Sequence, residues 1–146
     1  MIAIPFENRI LRLRKTGEKT QVFDRIRKRW VVLSPEEHVR QILILYLTED
    51  LQYPASLIAV EKKIMVGSRS KRYDLVVYGP DHRPWMLVEC KEPAVPITEQ
   101  TLFQLITYHS AIACKYWLLS NGHQNFCAEV TEGRQIKWLT ELPAYR

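Results

Sequence analysis

Apolar and polar positions change their period along this chain, and the changes mark out its elements. Apolar side chains at Val39, Ile42, Leu43, Leu45, Tyr46 and Leu47 form a broad helical stripe. Ser34-Pro35-Glu36-Glu37 opens it with a cap residue, a proline at the first helical position and a glutamate at the third, a capping box. The spacing predicts a helix ending near Asp50. Three strands follow a turn at Tyr53-Pro54, over 57–66, 72–78 and 84–92, divided by Gly67-Ser68 and Gly79-Pro80-Asp81. Such short connections predict an antiparallel meander. Thr98 caps a second helix from Glu99 to about Ala113, with Ile97 placed to staple onto Leu102. Residues 116–120 are apolar throughout, as in a buried strand beside a helical crossover, and 125–130 and 135–139 add edge strands. Residues 1–20 read as loosely structured, and 30–33 as a short strand or an apolar lead into the first helix. The whole predicts one α/β sandwich, a mixed sheet flanked by helices.

A length of 146 residues, 47% of them hydrophobic, allows one domain whose core needs no staples. Cys90, Cys114 and Cys127 are odd in number and form no CxxC pair, so they read as reduced thiols of a cytoplasmic protein. No stretch approaches the roughly 18 apolar residues of a membrane span, and the start lacks the pattern of a signal peptide, so no membrane partner is expected. Charge changes the picture more. The first 30 residues carry nine basic side chains against three acidic ones, and the remainder is nearly neutral. This divides the chain into a basic arm, 1–21, and a domain, 22–146. Such an arm either contacts the phosphates of a polyanion or is a solvated leader.

The chemistry gathers on two adjacent strands. Asp74 is set in an apolar run, Tyr73 to Tyr78, and Glu89 and Lys91 end another, Met86 to Lys91. Strand period is two, so Glu89 and Lys91 project from the same face. A carboxylate in such a strand is costly unless it is paired or binds a metal. Asp74 and Glu89 could share a hard divalent ion, Mg²⁺ or Mn²⁺, with the backbone carbonyl of Cys90 as a third oxygen ligand. Lys91 could then orient a water and stabilise charge on a phosphate. The bland alternative is a buried salt bridge of Lys91 with Asp74 or Glu89. On the second helix Gln104 and Tyr108 lie four apart on one face, a QxxxY spacing. Among other residues, four scattered histidines offer no zinc spacing, and Cys90 reads as a packed residue rather than a nucleophile. Glu61 reads as facing solvent from an edge strand. Lys62, Lys63, Arg69, Lys71 and Arg72 cluster at the first hairpin, and Trp85, Trp117 and Trp138 read as core.

With Asp74, then fourteen intervening residues, then Glu89-Cys90-Lys91, the chain resembles the PD-(D/E)xK nuclease superfamily. Tyr73 stands where the motif's proline would be, a position that varies. The resemblance implies a restriction-endonuclease-like core of helix, three-stranded antiparallel meander, helix and strand. It implies metal-dependent cleavage of DNA, with Asp74, Glu89 and Lys91 as catalytic core and Gln104 and Tyr108 contacting the site or the DNA. An acid on the first helix often joins such sites. Glu37 is slightly preferred to Glu36, although capping competes for it. The stretches around Ser34, Glu61, Asp74 and Glu89 look like the N-terminal nuclease domain of type I restriction enzyme R subunits, especially its small stand-alone relatives, over roughly residues 22–130. No GxxxxGK[ST] loop occurs, so the resemblance implies that any translocation comes from a separate motor or specificity subunit. Cutting both strands with one site per chain favours a homodimer; nicking does not require one. The competing reading is a binding module on the same fold, gripping nucleic acid or a partner without cleavage.

Overall fold

A computed structural model describes every residue except Asn8. It is a mixed α/β structure with two sheets and two α-helices. The first sheet is antiparallel, in the order β1 (Leu13–Thr16), β2 (Lys19–Asp24), β3 (Arg29–Val32). The second has six strands in chain order: β4 (Ile58–Val66), β5 (Arg69–Tyr78), β6 (Pro84–Cys90), β7 (Tyr116–Ser120), β8 (Asn125–Val130) and β9 (Ile136–Trp138). Among the described residues only β6 and β7 pair in parallel, across the crossover that contains α2 (Glu99–Tyr108). Helix α1 (Pro35–Leu45) precedes the meander β4–β5–β6.

The six-stranded sheet is covered on both faces, which is why its central strands are apolar in almost every position. On one side Leu75, Val77, Met86, Val88 and Leu118 pack with Val39, Leu43, Ile44 and Leu47 of α1 and its extension. On the other, Val76, Leu87, Trp117 and Leu119 pack with Ile97, Leu102 and Ile106 around α2. Alternate residues of β6 thus serve opposite cores, as the strand period requires.

Both helices start where expected. Ser34 Oγ accepts from the Glu37 N–H at 3.0 Å, but the Glu37 carboxylate turns to Arg27, Arg40 and Gln41 instead of closing a capping box. The closed box belongs to α2, between Thr98 and Thr101. The first helix runs on to Asp50 through a wider π turn, Tyr46–Asp50. The second stops at Tyr108, short of Ala113, because beyond Ile106 no buried side chain continues its stripe until Cys114.

The N-terminal region departs most from expectation. Residues 1–20 are not a loose arm. Ile2 and Ile4 are buried in the α1-side core, and Ile2 exchanges hydrogen bonds with Asn125. Strands β1 and β2 pair from Leu13↔Val22 to Thr16↔Lys19, so the boundary expected between 21 and 22 cuts through β2. The C-terminal segment is also fixed: Tyr53 Oη donates to the Pro143 carbonyl (2.6 Å) and Tyr145 Oη to that of Tyr78 (2.8 Å). Trp117 is buried as expected, whereas Trp138, at the edge of β9, is 37% exposed. All three cysteines are free and buried, and burial pushes the Cys114 and Cys127 thiols up to about 12. Among the described residues, no helix is long and apolar enough to cross a membrane.

Candidate functional site

Strands β4, β5 and β6 each place an acid at the same level. Val60↔Leu75 and Lys62↔Tyr73 are paired, so Glu61 lies opposite Asp74, and Leu75↔Val88 is the last pair before Asp74 meets Glu89. Neither of these acid–acid positions is joined to the ladder. Glu61 has φ +51°, a left-handed conformation that bulky residues seldom adopt, and it interrupts the β4–β5 pairing there. On the other side the Cys90 N–H, free of β5 backbone, donates to Asp74 Oδ2 at 2.7 Å. The sheet therefore opens around Asp74, and side chains replace its missing ladder contacts.

Arg40 of α1 completes that replacement. Its Nη2 donates to Asp74 Oδ1 (2.7 Å) and its Nη1 to Glu37 Oε1 (2.7 Å), while its buried Nε has no partner. Desolvation works against its charge, yet Asp74 and Glu37 hold its pKa above the ordinary value. Glu37 also receives Arg27 (2.8 Å) and Gln41 (3.1 Å). Arg27 reaches back to buried Asp24 (2.7 Å), which accepts from Gln41 as well. Burial favours protonated Asp24, but the bonds from Arg27 and Gln41 keep its pKa below normal. The Glu61 carboxylate, 41% exposed, reaches Arg27 at 3.5 Å and Arg40 at 3.7 Å rather than facing solvent alone.

Glu89 is buried with thin compensation. Its carboxylate is 3.9 Å from the Lys71 ammonium. Burial, then the Asp74 charge, push its pKa up to about 7 against the pull of Lys71 and Lys91. Glu36 is raised too, by burial and by Asp74. Glu36, Asp74, Glu89 and Lys91 thus lie within one another's fields. Glu37 faces the buried cations Arg27 and Arg40, so Glu36 is the first-helix acid turned toward Asp74. Lys91 follows the end of β6, its N–H held by the Ser120 carbonyl at 2.8 Å. The next turn is pinned by Asn121, which donates to the Val95 carbonyl at 2.8 Å.

Oxygen donors are what this place offers. Among the described residues, no three His, Cys, Asp or Glu side chains already surround a common point. Two carboxylates with open positions nevertheless fit Mg²⁺ or Mn²⁺, which take one or two acids and keep waters or substrate oxygens. Burial first, and the Asp74 charge second, raise Glu89 and Glu36, and a dication would relieve the second of these. Cys90 has its thiol buried and pushed well above its usual pKa, so it supplies no thiolate. Gln104 is exposed and makes no hydrogen bond among the described residues. Tyr108 is 84% exposed and lines a cleft of about 340 Å³ with Arg69, Lys71 and His109. Lys71, which lines that cleft, is also 3.9 Å from Glu89. Arg27, Arg40 and Asp24 escape notice in the sequence; the one signal is Arg40 standing three and four residues after Glu37 and Glu36 on one helix face.

A helix, an acid-bearing meander and a crossover to a parallel strand frame the site within a mixed α/β structure. The model of the type I restriction enzyme R protein N terminus matches residues 35–143, and the chain belongs to that family. No curated protein matches the chain. Membership indicates a restriction-modification, nuclease-like role.

Proposed function

We propose that the chain is a metal-dependent DNA nuclease with a restriction-endonuclease-like core, built from α1, β4–β6, α2 and β7. The supporting observation is the opening of the sheet at Asp74 and Glu89, two acids of adjacent strands with Lys91 immediately beyond. Asp74 and Glu89 would hold Mg²⁺ or Mn²⁺, with the Cys90 carbonyl as a further oxygen. The bound ion would acidify a water and offset charge on the phosphate. Lys91, whose backbone N–H is held by the Ser120 carbonyl, would use its ammonium to orient that water and steady the phosphate as the phosphodiester bond breaks. Glu36, rather than Glu37, is the first-helix acid for this site. Gln104 and Tyr108 stand on the exposed face of α2, where they would meet the strand instead of the metal. DNA is the proposed partner, with a separate motor or specificity subunit supplying translocation, and a homodimer where both strands are cut.

A second reading has one observation in its favour: Arg40 already compensates Asp74 at 2.7 Å, as in a module that binds without cutting. The test is incubation with supercoiled, linear and single-stranded DNA in Mg²⁺ or Mn²⁺. Wild type should cleave. Lys91→Ala and Asp74→Ala should lose at least about 100-fold, a few kcal/mol of barrier. Melting should be unchanged in Lys91→Ala and lowered in Asp74→Ala, which strips Arg40 and the Cys90 N–H of their acceptor. Full activity in Lys91→Ala would sink the mechanism, and binding without cleavage by every form would favour the second reading.

A further inference from the structure

Strands β1–β3 lie before the family match, which begins at Pro35, and the proposed chemistry uses nothing on their outer face. Register separates the two faces. Val22 and Asp24 are buried toward the body, so Gln21 and Phe23 of β2 share the other face with Trp30 and Val32 of β3 and with Arg14 and Thr16 of β1. On it Arg12 sits 4.8 Å from the Phe23 ring centroid and 5.3 Å from that of Trp30. Arg14 sits 4.4 Å over Trp30 and donates to Gln21 Oε1 at 2.7 Å. The rings hold these guanidiniums in place without neutralising them. Nearby, Arg9, Arg25 and Arg27 are matched to carboxylates. Among the described residues, Arg12, Arg14, Lys15, Lys19, Lys28 and Arg29 have no ion pair.

We propose that this outer face is a docking surface for the sugar–phosphate backbone of DNA, with Arg12 and Arg14 as its principal phosphate contacts and Lys19 beside them. Guanidinium forks match phosphate oxygens, and side chains already held on Phe23 and Trp30 give up less freedom on binding. The face offers cations and little to read base edges, so it binds by charge and without sequence choice. The sheet is anchored to the wall of the candidate site, because Arg27, just after β2, joins Asp24 to Glu37 and Glu61. The proposal rests on the reading of the chain as a DNA-acting domain but does not require cleavage.

The experiment is fluorescence anisotropy of the full chain with a labelled duplex of about two helical turns, in EDTA, across a salt series. Wild type should bind with an affinity falling as salt rises. Arg12→Gln with Arg14→Gln should weaken binding at least about tenfold and reduce the log–log salt slope by about two, since each phosphate contact contributes roughly 0.9. Arg12→Lys with Arg14→Lys should keep most of the slope. Lys19→Gln, at an exposed position whose side chain has no hydrogen bond or ion pair among the described residues, should lower it by about one and reports even if the double variant melts early. Unchanged affinity and slope in both Gln variants would overturn the proposal, as would wild-type binding to anionic vesicles and not to DNA. Cleavage by the same proteins in Mg²⁺ separates the readings. Wild type that binds through this face but never cuts leaves the surface standing and removes the nuclease. Wild type that cuts while the variants bind unchanged does the opposite.

Discussion

Arg40 stands between two acids it alone connects, Glu37 and Asp74. Truncating one member of a buried ionic network leaves the others uncompensated, which costs more than the pair itself contributes. Arg40→Ala should therefore lower stability by about 3 kcal/mol in urea melts, with Lys71→Ala, at a half-exposed pair, changing it by less than about 1. A loss below that of Lys71→Ala would contradict the network. Glu89 makes the opposite case. Its pKa in the fold, about 7, exceeds the ordinary 4.5, so the folded chain holds this proton more tightly than the unfolded one. The stability it contributes is complete below pH 4.5 and is lost as pH rises through 7. Asp74 and Glu36 oppose its ionisation, and Lys71 and Lys91 favour it. Without metal, Glu89→Gln should be more stable than wild type at pH 8 by about 2–3 kcal/mol, and equal to it near pH 4.5. A gap that stays the same in melts at both pH values would refute this.

Elements with a clean period or cap could be read directly. The starts of α1 and α2 and the strands β4 to β7 follow from Ser34, Thr98 and the apolar runs they bound. Strands β1 and β2 could not, because the run of Arg and Lys through Leu13–Thr16 masks any alternation, and β1 is exposed throughout. That error carried into the site. With the hairpin of β2 and β3 unread, nothing suggested that Arg27 and Asp24 would dock on α1, and their docking turns Glu37 inward and leaves Glu36 toward Asp74. The acids Asp74 and Glu89 and the lysine after them needed only strand period; the opening of the sheet between β4 and β5 beside Asp74 needed the irregularity at Glu61, which no local signal marks. The strand end at Asn121-Gly122 was legible as a turn but not as a clamp. Gly122 has φ +92°, and an added Cβ would lie 3.3 Å from Val39. Gly122→Ala should cost about 1–2 kcal/mol in denaturant melts. Because Asn121 holds the turn after Lys91, it should also slow cleavage at saturating DNA. Unchanged melting would mean that the turn relaxes freely.

At the scale of the molecule, the site is an island of excess negative charge inside a chain of net charge +5. A dication bound there should stabilise the whole fold by about 1.4 kcal/mol at tenfold its dissociation constant, seen as a rise in melting temperature. Asp74→Ala should remove that rise. A rise that persists would place the ion elsewhere. The parallel pairing of β6 with β7 has its own consequence. The acids and the lysine are made early in the chain, but Lys91 is anchored only when Ser120 arrives after the crossover. On the proposed reading as a nuclease, the order of translation would hold Asp74, Glu89 and Lys91 short of their final register until β7 has docked. The nascent polypeptide would then stay harmless to the nucleic acids around the ribosome until that contact closes.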